Sequence, residues 1–259
     1  MIDWVEGLPT AWLIVVMFTG TCLVTIAIFF GVMRLAEGPH GAAVAGVSPG
    51  LLSPMGLVFG LIVGFLVAGL WNDIGDARDA VNREASALRS AQLVVAATFP
   101  GETSHLDALI KRHVDEAATK EWPAMADQRA NLTVVPAALA QALHLALSLR
   151  PNGAAQATGQ RELVSALENA LDARRQRIIV SRSSVGWVKW LAVIALAALT
   201  LTAVACVHSG NRRTAAVAMA IFGGAVAVTL VLIASQARPF SGEFGINPDV
   251  LLQVQSAPS

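Results

Sequence analysis

Apolar and polar positions in this chain are sorted by whole segments. Four uncharged apolar stretches, residues 12–33, 51–71, 191–207 and 214–235, stand two and two around a polar middle. A helix that crosses the hydrocarbon core of a bilayer needs roughly 20 mostly apolar residues at 1.5 Å rise each. A soluble domain of this size would not collect four such runs. The pattern predicts an all-α polytopic membrane protein with four transmembrane helices and a helical insertion between the second and third. It divides into a first transmembrane pair (1–71), a helical insertion (72–186), a second transmembrane pair (187–237) and a short tail (238–259).

The insertion carries thirteen basic and thirteen acidic side chains and no alternating strand pattern. Ile74, Ala77, Val81, Ala85 and Leu88 follow steps of three and four, which marks one apolar face of a helix. No Gly-Pro break separates Trp71 from this segment, so the second span is expected to run straight on. Asp79 and Arg83 stand at i, i+4 on its polar face, the spacing of a surface ion pair. Further helices are expected over 102–121, 136–149 and 161–181, divided by Pro100-Gly101, Trp122-Pro123 and Pro151-Asn152-Gly153. The last carries Leu163, Leu167 and Leu171, then the basic run Arg174-Arg175-Gln176-Arg177. That run reads as a topology signal before the third span, with contact to anionic lipid.

Charge settles the expected orientation. Arg78, Arg83, Arg89, Arg174, Arg175, Arg177, Arg182 and Arg238 flank the spans on one side, against Arg34, Arg212 and Arg213 on the other. The positive-inside rule puts both termini and the insertion in the cytoplasm. Trp12, Trp71, Trp187 and Trp190 fall at the same ends of the spans, at headgroup level, beside a snorkelling Lys189. The segment 34–50, rich in Gly, Ala and Pro, is expected to be a flexible external loop, and 208–213 a tight turn. Asp3 and Glu6 stand before the first span with no Lys or Arg. That flank does not suit a signal peptide, and the run is read as a spanning helix. The Ala-rich, Lys-poor composition points to a bacterial inner membrane.

Composition then narrows the function. Mean hydropathy is +0.60, and 18 Lys plus Arg balance 18 Asp plus Glu, which leaves no field to attract nucleic acid. Cys22 and Cys206 both lie inside spans and read as packing residues rather than a disulfide or a zinc site. His105, His113 and His144 lie in the insertion. His113 and Glu116 stand at i, i+3, but no second such pair completes a metal site, and a solvated helix face is the expectation. No nucleophile elbow or phosphate-binding glycine loop is visible, so neither an enzyme nor a cofactor is expected.

The four spans as drawn hold no Asp, Glu, His, Lys or Arg, which speaks against ion-coupled transport. A passive pore with an apolar constriction stays compatible with them. Gly56, Gly60 and Gly64 form a small-xxx-small row for close helix packing. Leu57, Leu61 and Phe65 follow on a neighbouring face.

The stretch 56–91, GLVFGLIVGFLVAGLWNDIGDARDAVNREASALRSA, resembles the second-helix region of bestrophin-type anion channels. The segment Arg238-Pro239-Phe240-Ser241-Gly242-Glu243 is similar to their Asn/Asp-Pro-Phe-Gly motif, with Arg238 in place of the Asn or Asp. The likeness is closer to the bestrophin-like domain family of bacterial and plant membrane proteins. It rests on Glu84-Ala85-Ser86, Glu121-Trp122-Pro123, an Arg-rich helix before the third span and the tail Pro239-Phe240-Ser241-Gly242. The resemblance implies a homopentamer in which Leu57, Leu61, Gly64 and Phe65, or a face rotated by one residue, ring an apolar neck above a cytoplasmic vestibule. Its partners would be membrane lipid, further copies of the chain and a permeating ion, with a monovalent anion the first expectation. The acidic cluster of the animal calcium clasp is not evident after Phe240, so calcium gating is not expected. The short tail leaves little to wrap a neighbour. The rival reading is a non-conducting scaffold or sensor whose cytoplasmic helices bind a partner.

Overall fold

The computed structural model describes residues 10–39, 41–183, 185–242 and 245–256. Asp3, Glu6, Glu243 and the last three residues, on which parts of the sequence reading fall, lie outside the described residues. The helices are α1 (Thr10–Ala36), α2 (Gly41–Ala45), α3 (Leu52–Thr98), α4 (Thr103–Glu116), α5 (Trp122–Ala126), α6 (Ala137–Ser148), α7 (Ala154–Ser181), α8 (Trp187–Val207), α9 (Arg212–Ser235) and α10 (Asp249–Leu252). Among the described residues there is no strand. The chain divides into two compact units, Met1–Asn72 with Ser184–Ala237, and Asp73–Ser183 with Arg238–Ser259.

The first unit holds α1, α2, the apolar part of α3, α8 and α9. The four apolar helices are each long enough to cross a membrane. Leu13, Phe59, Leu66, Leu70, Trp190, Val193 and Ile233 make one apolar cluster, and Val32, Met33, Leu201, Ala215 and Met219 another. Thr21, Thr200, Thr202 and Thr229 each donate their hydroxyl to the carbonyl four residues back, at 2.8–2.9 Å. Polar groups in an apolar solvent are thereby satisfied within their own helix. α9 begins where the Asn211 side chain accepts the Arg213 and Thr214 amides at 3.0 and 3.3 Å, a standard N-cap. A Cβ at Gly223 would fall 2.8 Å from Thr25 Oγ1, so glycine allows α9 to approach α1. The connection after α1 is more ordered than expected of a flexible loop. It contains α2 and a 3₁₀ turn, Pro49–Leu51, capped by Ser48 Oγ accepting the Gly50 amide.

α3 is one unbroken helix of 47 residues, roughly 70 Å at 1.5 Å per residue. No Pro or Gly-Pro pair interrupts it after Trp71, so continuation follows from the absence of a breaker, as expected.

The second unit packs α3 from Asp73 onward with α4–α7 and the tail. Ala77, Val81, Ala85 and Leu88 are buried as their spacing predicts, joined by Ala91 and Val95. They meet Leu106, Ile110 and Val114 of α4, Leu139 of α6, Leu163 and Leu167 of α7, and Leu251 and Val254 of the tail. Asp79 and Arg83 do not form the expected ion pair; Arg83 Nε donates to the Asp79 carbonyl at 3.3 Å instead. α7 starts seven residues before the expected position, because its first two turns are used for capping. Gln156 Nε2 donates to the Thr98 carbonyl at 3.0 Å, and Gln160 Nε2 to the Ala146 and Leu149 carbonyls at 2.9 Å. These are orphan acceptors at the ends of α3 and α6. Gly159 makes this possible: a Cβ there would lie 2.4 Å from Thr98 Cγ2.

Candidate functional site

Two features stand out, one in each unit. On α3 in the first unit, Phe59, Leu66, Val67 and Leu70 are buried while Leu57, Leu61 and Phe65 are 65, 51 and 75% exposed. The helix thus has a covered apolar face and an uncovered one. Beside the uncovered side chains, a Cβ added at Gly56, Gly60 or Gly64 would meet nothing within 4 Å. Among the described residues the glycine row therefore has no close partner. Apolar side chains and small residues left open together on a spanning helix are surface prepared for lipid or for another helix.

In the second unit a charged network is sealed inside the core. Glu84 of α3 and Arg177 of α7 are fully buried. Arg177 Nε donates to Glu84 Oε2 at 2.7 Å and its Nη2 to Glu84 Oε1 at 3.2 Å. The same Nη2 reaches Glu121 Oε2 at 2.9 Å, and Nη1 points at Met125 Sδ at 3.6 Å. Arg174 takes the other side of Glu121, with Nε and Nη2 donating to Oε1 at 2.8 and 2.6 Å, and Nη2 also donates to the Val134 carbonyl at 3.2 Å. His113 Nε2 lies 2.8 Å from Glu84 Oε1. Burial pushes the Glu84 carboxyl up, yet the Arg177 guanidinium and His113 outweigh it and hold the group down at about 2. Arg177 is pushed down by burial and raised on balance by Glu84 and Glu121. Glu84 is thus an ionised acceptor, and His113 Nε2 carries the donated proton.

Local structure positions these groups. Glu84 sits in the apolar stripe of α3 between Val81 and Leu88. Glu121 closes a π-turn, Ala117–Glu121, before Pro123; such one-turn insertions re-aim side chains. Arg177 also lies over the Trp122 ring, 4.6 Å from its centroid. The other contacts of Trp122 tie in the tail. Phe240 packs edge-on at 5.8 Å, and the indole N–H donates to the Ile246 carbonyl at 2.8 Å. Pro239 and Phe240 are buried, the Pro239 carbonyl accepts the Ile246 amide at 2.8 Å, and Gly242 turns the chain with φ +77. The tail motif Pro239, Phe240 and Gly242 is therefore a folded part of this unit.

Sequence reasoning misplaced several of these residues. Arg174 and Arg177 are buried ion-pair partners and not the lipid-facing signal expected of that run; only Arg175 of the three stays exposed. His113 is buried against Glu84 instead of lying on a solvated face. The available signal was phase: Glu84 occupies a core position of α3, and an acid on an apolar stripe demands a buried cation. Among the described residues no group of His, Cys, Asp and Glu is arranged to hold a metal ion.

The family profile described as Bestrophin-like domain matches residues 10–251. Among solved structures, a Leu-to-Thr variant of a bacterial bestrophin homologue from Klebsiella pneumoniae superposes with a TM-score of 0.69 at 12% identity. The match covers 94% of this chain and 96% of that one. An Ile-to-Thr variant of the same homologue gives 0.68 at 13% identity, covering 94% and 98%. A structure described as a membrane protein gives 0.63 at 12% identity, covering 94% and 95%. No curated protein matched the sequence.

Proposed function

This chain belongs to the bestrophin-like domain family, and from that premise we propose that it assembles into a passive ion-conducting pore. Copies of α3 meet around a common axis, and Leu57, Leu61 and Phe65, with Gly64 between them, ring an apolar neck. The assembly is a homo-oligomer, a pentamer by analogy. It sits in a bacterial inner membrane with both termini and the polar unit on the cytoplasmic side. The observation that supports this reading is the uncovered apolar face of α3 beside an open glycine row. A constriction of this kind gates by wetting and dewetting. The family's resemblance to anion channels favours a monovalent anion as the permeant species, and no catalytic step is assigned.

The test is purified protein in planar bilayers. Current is expected, and Leu57→Ala or Leu61→Ala raises open probability by lowering the cost of wetting the neck. A folded oligomer that passes no current in any variant overturns the reading and favours a scaffold. For that alternative, the exposed Val134 and Val135 of the α5–α6 connection offer a partner contact.

A further inference from the structure

We propose that the first unit carries a site for one anionic phospholipid, with an acyl chain laid between α1 and α9 and the phosphate held by Arg34 and Arg213. Only the membrane-spanning fold is required, and the site stands whether or not an assembly conducts. An open groove of about 430 Å³ runs between the two helices, from Phe18 to Phe30 on α1 and from Ala216 to Ala227 on α9. Apart from Cys22 and Thr25 its lining is apolar. The α1 wall presents Phe18, Ile26 and Phe30, all exposed. The α9 wall is built from small residues, and a Cβ added at Gly224 would meet nothing within 4 Å. Large side chains on one helix and almost none on the other leave a trough that the chain itself does not fill. An apolar trough takes no water, so hydrocarbon fills it. Phe18 and Phe30 are 12 residues apart, roughly 18 Å along the helix. That is a little over half of the roughly 30 Å hydrocarbon core, the reach of one acyl chain.

The end of the trough selects the headgroup. Arg34 follows Phe30 by four residues and Arg213 precedes Ala216 by three, so each lies one turn beyond its wall on the same helix face. Glu37 and Arg212, on the same two helix ends, form an ion pair. That pair joins the ends and takes up the acid found there. Arg34 and Arg213 are exposed, and among the described residues neither enters an ion pair. Two guanidiniums just past an apolar span, with no protein carboxylate of their own, match a phosphodiester. A zwitterionic lipid would bring its own cation beside them, whereas an anionic one leaves its phosphate charge uncompensated for them to bind.

Photocrosslinking in phosphatidylcholine liposomes tests the site. Two probes are compared at trace level, phosphatidylglycerol and phosphatidylcholine, each with the same photoactivatable group midway along one acyl chain. In the unaltered protein the phosphatidylglycerol probe should attach within residues 18–30 and 216–227, severalfold more than the phosphatidylcholine probe. Arg34→Gln with Arg213→Gln, both at exposed positions where the fold does not depend on them, should erase that difference. Gly224→Leu fills the trough and should lower attachment of both probes in both segments severalfold. Attachment spread evenly over the exposed faces of α1, α3, α8 and α9, or equal labelling by the two probes in the unaltered protein, overturns the assignment. So does labelling unmoved by the paired arginine substitution or by Gly224→Leu.

Discussion

Arg177 and Glu84 lie 93 residues apart in sequence and meet through Nε and Oε2 at 2.7 Å, both sealed from solvent. Taking two charges out of water is costly, and the pair is tolerated because Arg177 Nε and Nη2 donate to the Glu84 and Glu121 carboxylates, while Nη1 points at Met125 Sδ. Breaking it leaves one charge buried alone.

Glu84→Gln should therefore destabilise the protein by about 3–5 kcal/mol. Arg177→Met alone should cost as much, whereas Glu84→Gln with Arg177→Met should cost less than the sum of the singles. Thermal midpoints of the detergent-solubilised protein, arranged as a double-mutant cycle, measure this. Additive losses would show that the two groups act independently.

The same pair fixes an acid response. The folded Glu84 carboxyl is held at about 2, below its ordinary value of 4.5. Its contribution is fully present above pH 4.5 and is lost as pH falls through about 2. Thermal midpoints of the unaltered protein should fall over that window, and Glu84→Gln should show a shallower fall.

Gly159→Ala should destabilise by roughly 1–3 kcal/mol, since the new methyl overlaps Thr98 and the well-packed crossing must open. The atoms it meets are Thr98 Cγ2 at 2.4 Å and Cβ and Oγ1 at 2.8 Å, so adding Thr98→Gly, which removes all three, should recover part of the loss. Failure of that rescue would place the cost elsewhere.

Trp122→Phe removes the hydrogen bond to the Ile246 carbonyl while keeping the aromatic contact with Phe240. A loss of about 1 kcal/mol is expected, together with faster protease cleavage around residues 245–250. Unchanged cleavage would mean that the tail is held by its other contacts, among them Leu251, Val254 and the Gln255–Asp115 hydrogen bond.

Period and length were enough to read the spans, because membrane crossing imposes both. They also gave the continuous α3, since nothing in 72–98 breaks a helix. The charge network escaped for a different reason. Arg174 and Arg177 look like any basic flank until the phase of α7 is known. Their partners, Glu84 and Glu121, come from helices that spacing alone does not bring together. The start of α7 was missed because Ala154–Gln160 is polar and Gly-containing, while its glutamines cap other helices. The neck residues follow an apolar pattern common to lipid-facing helices, and only an assembly distinguishes the two uses.

The core of the polar unit draws on Phe240, Leu251 and Val254, which follow both later spans in the chain. On the ribosome, Glu84 emerges long before Arg177, and Trp122 waits more than a hundred residues for Ile246. This unit therefore lacks those core side chains until translation has passed α8 and α9. A nascent chain stalled before the tail would leave Trp122 without its Phe240 and Ile246 contacts.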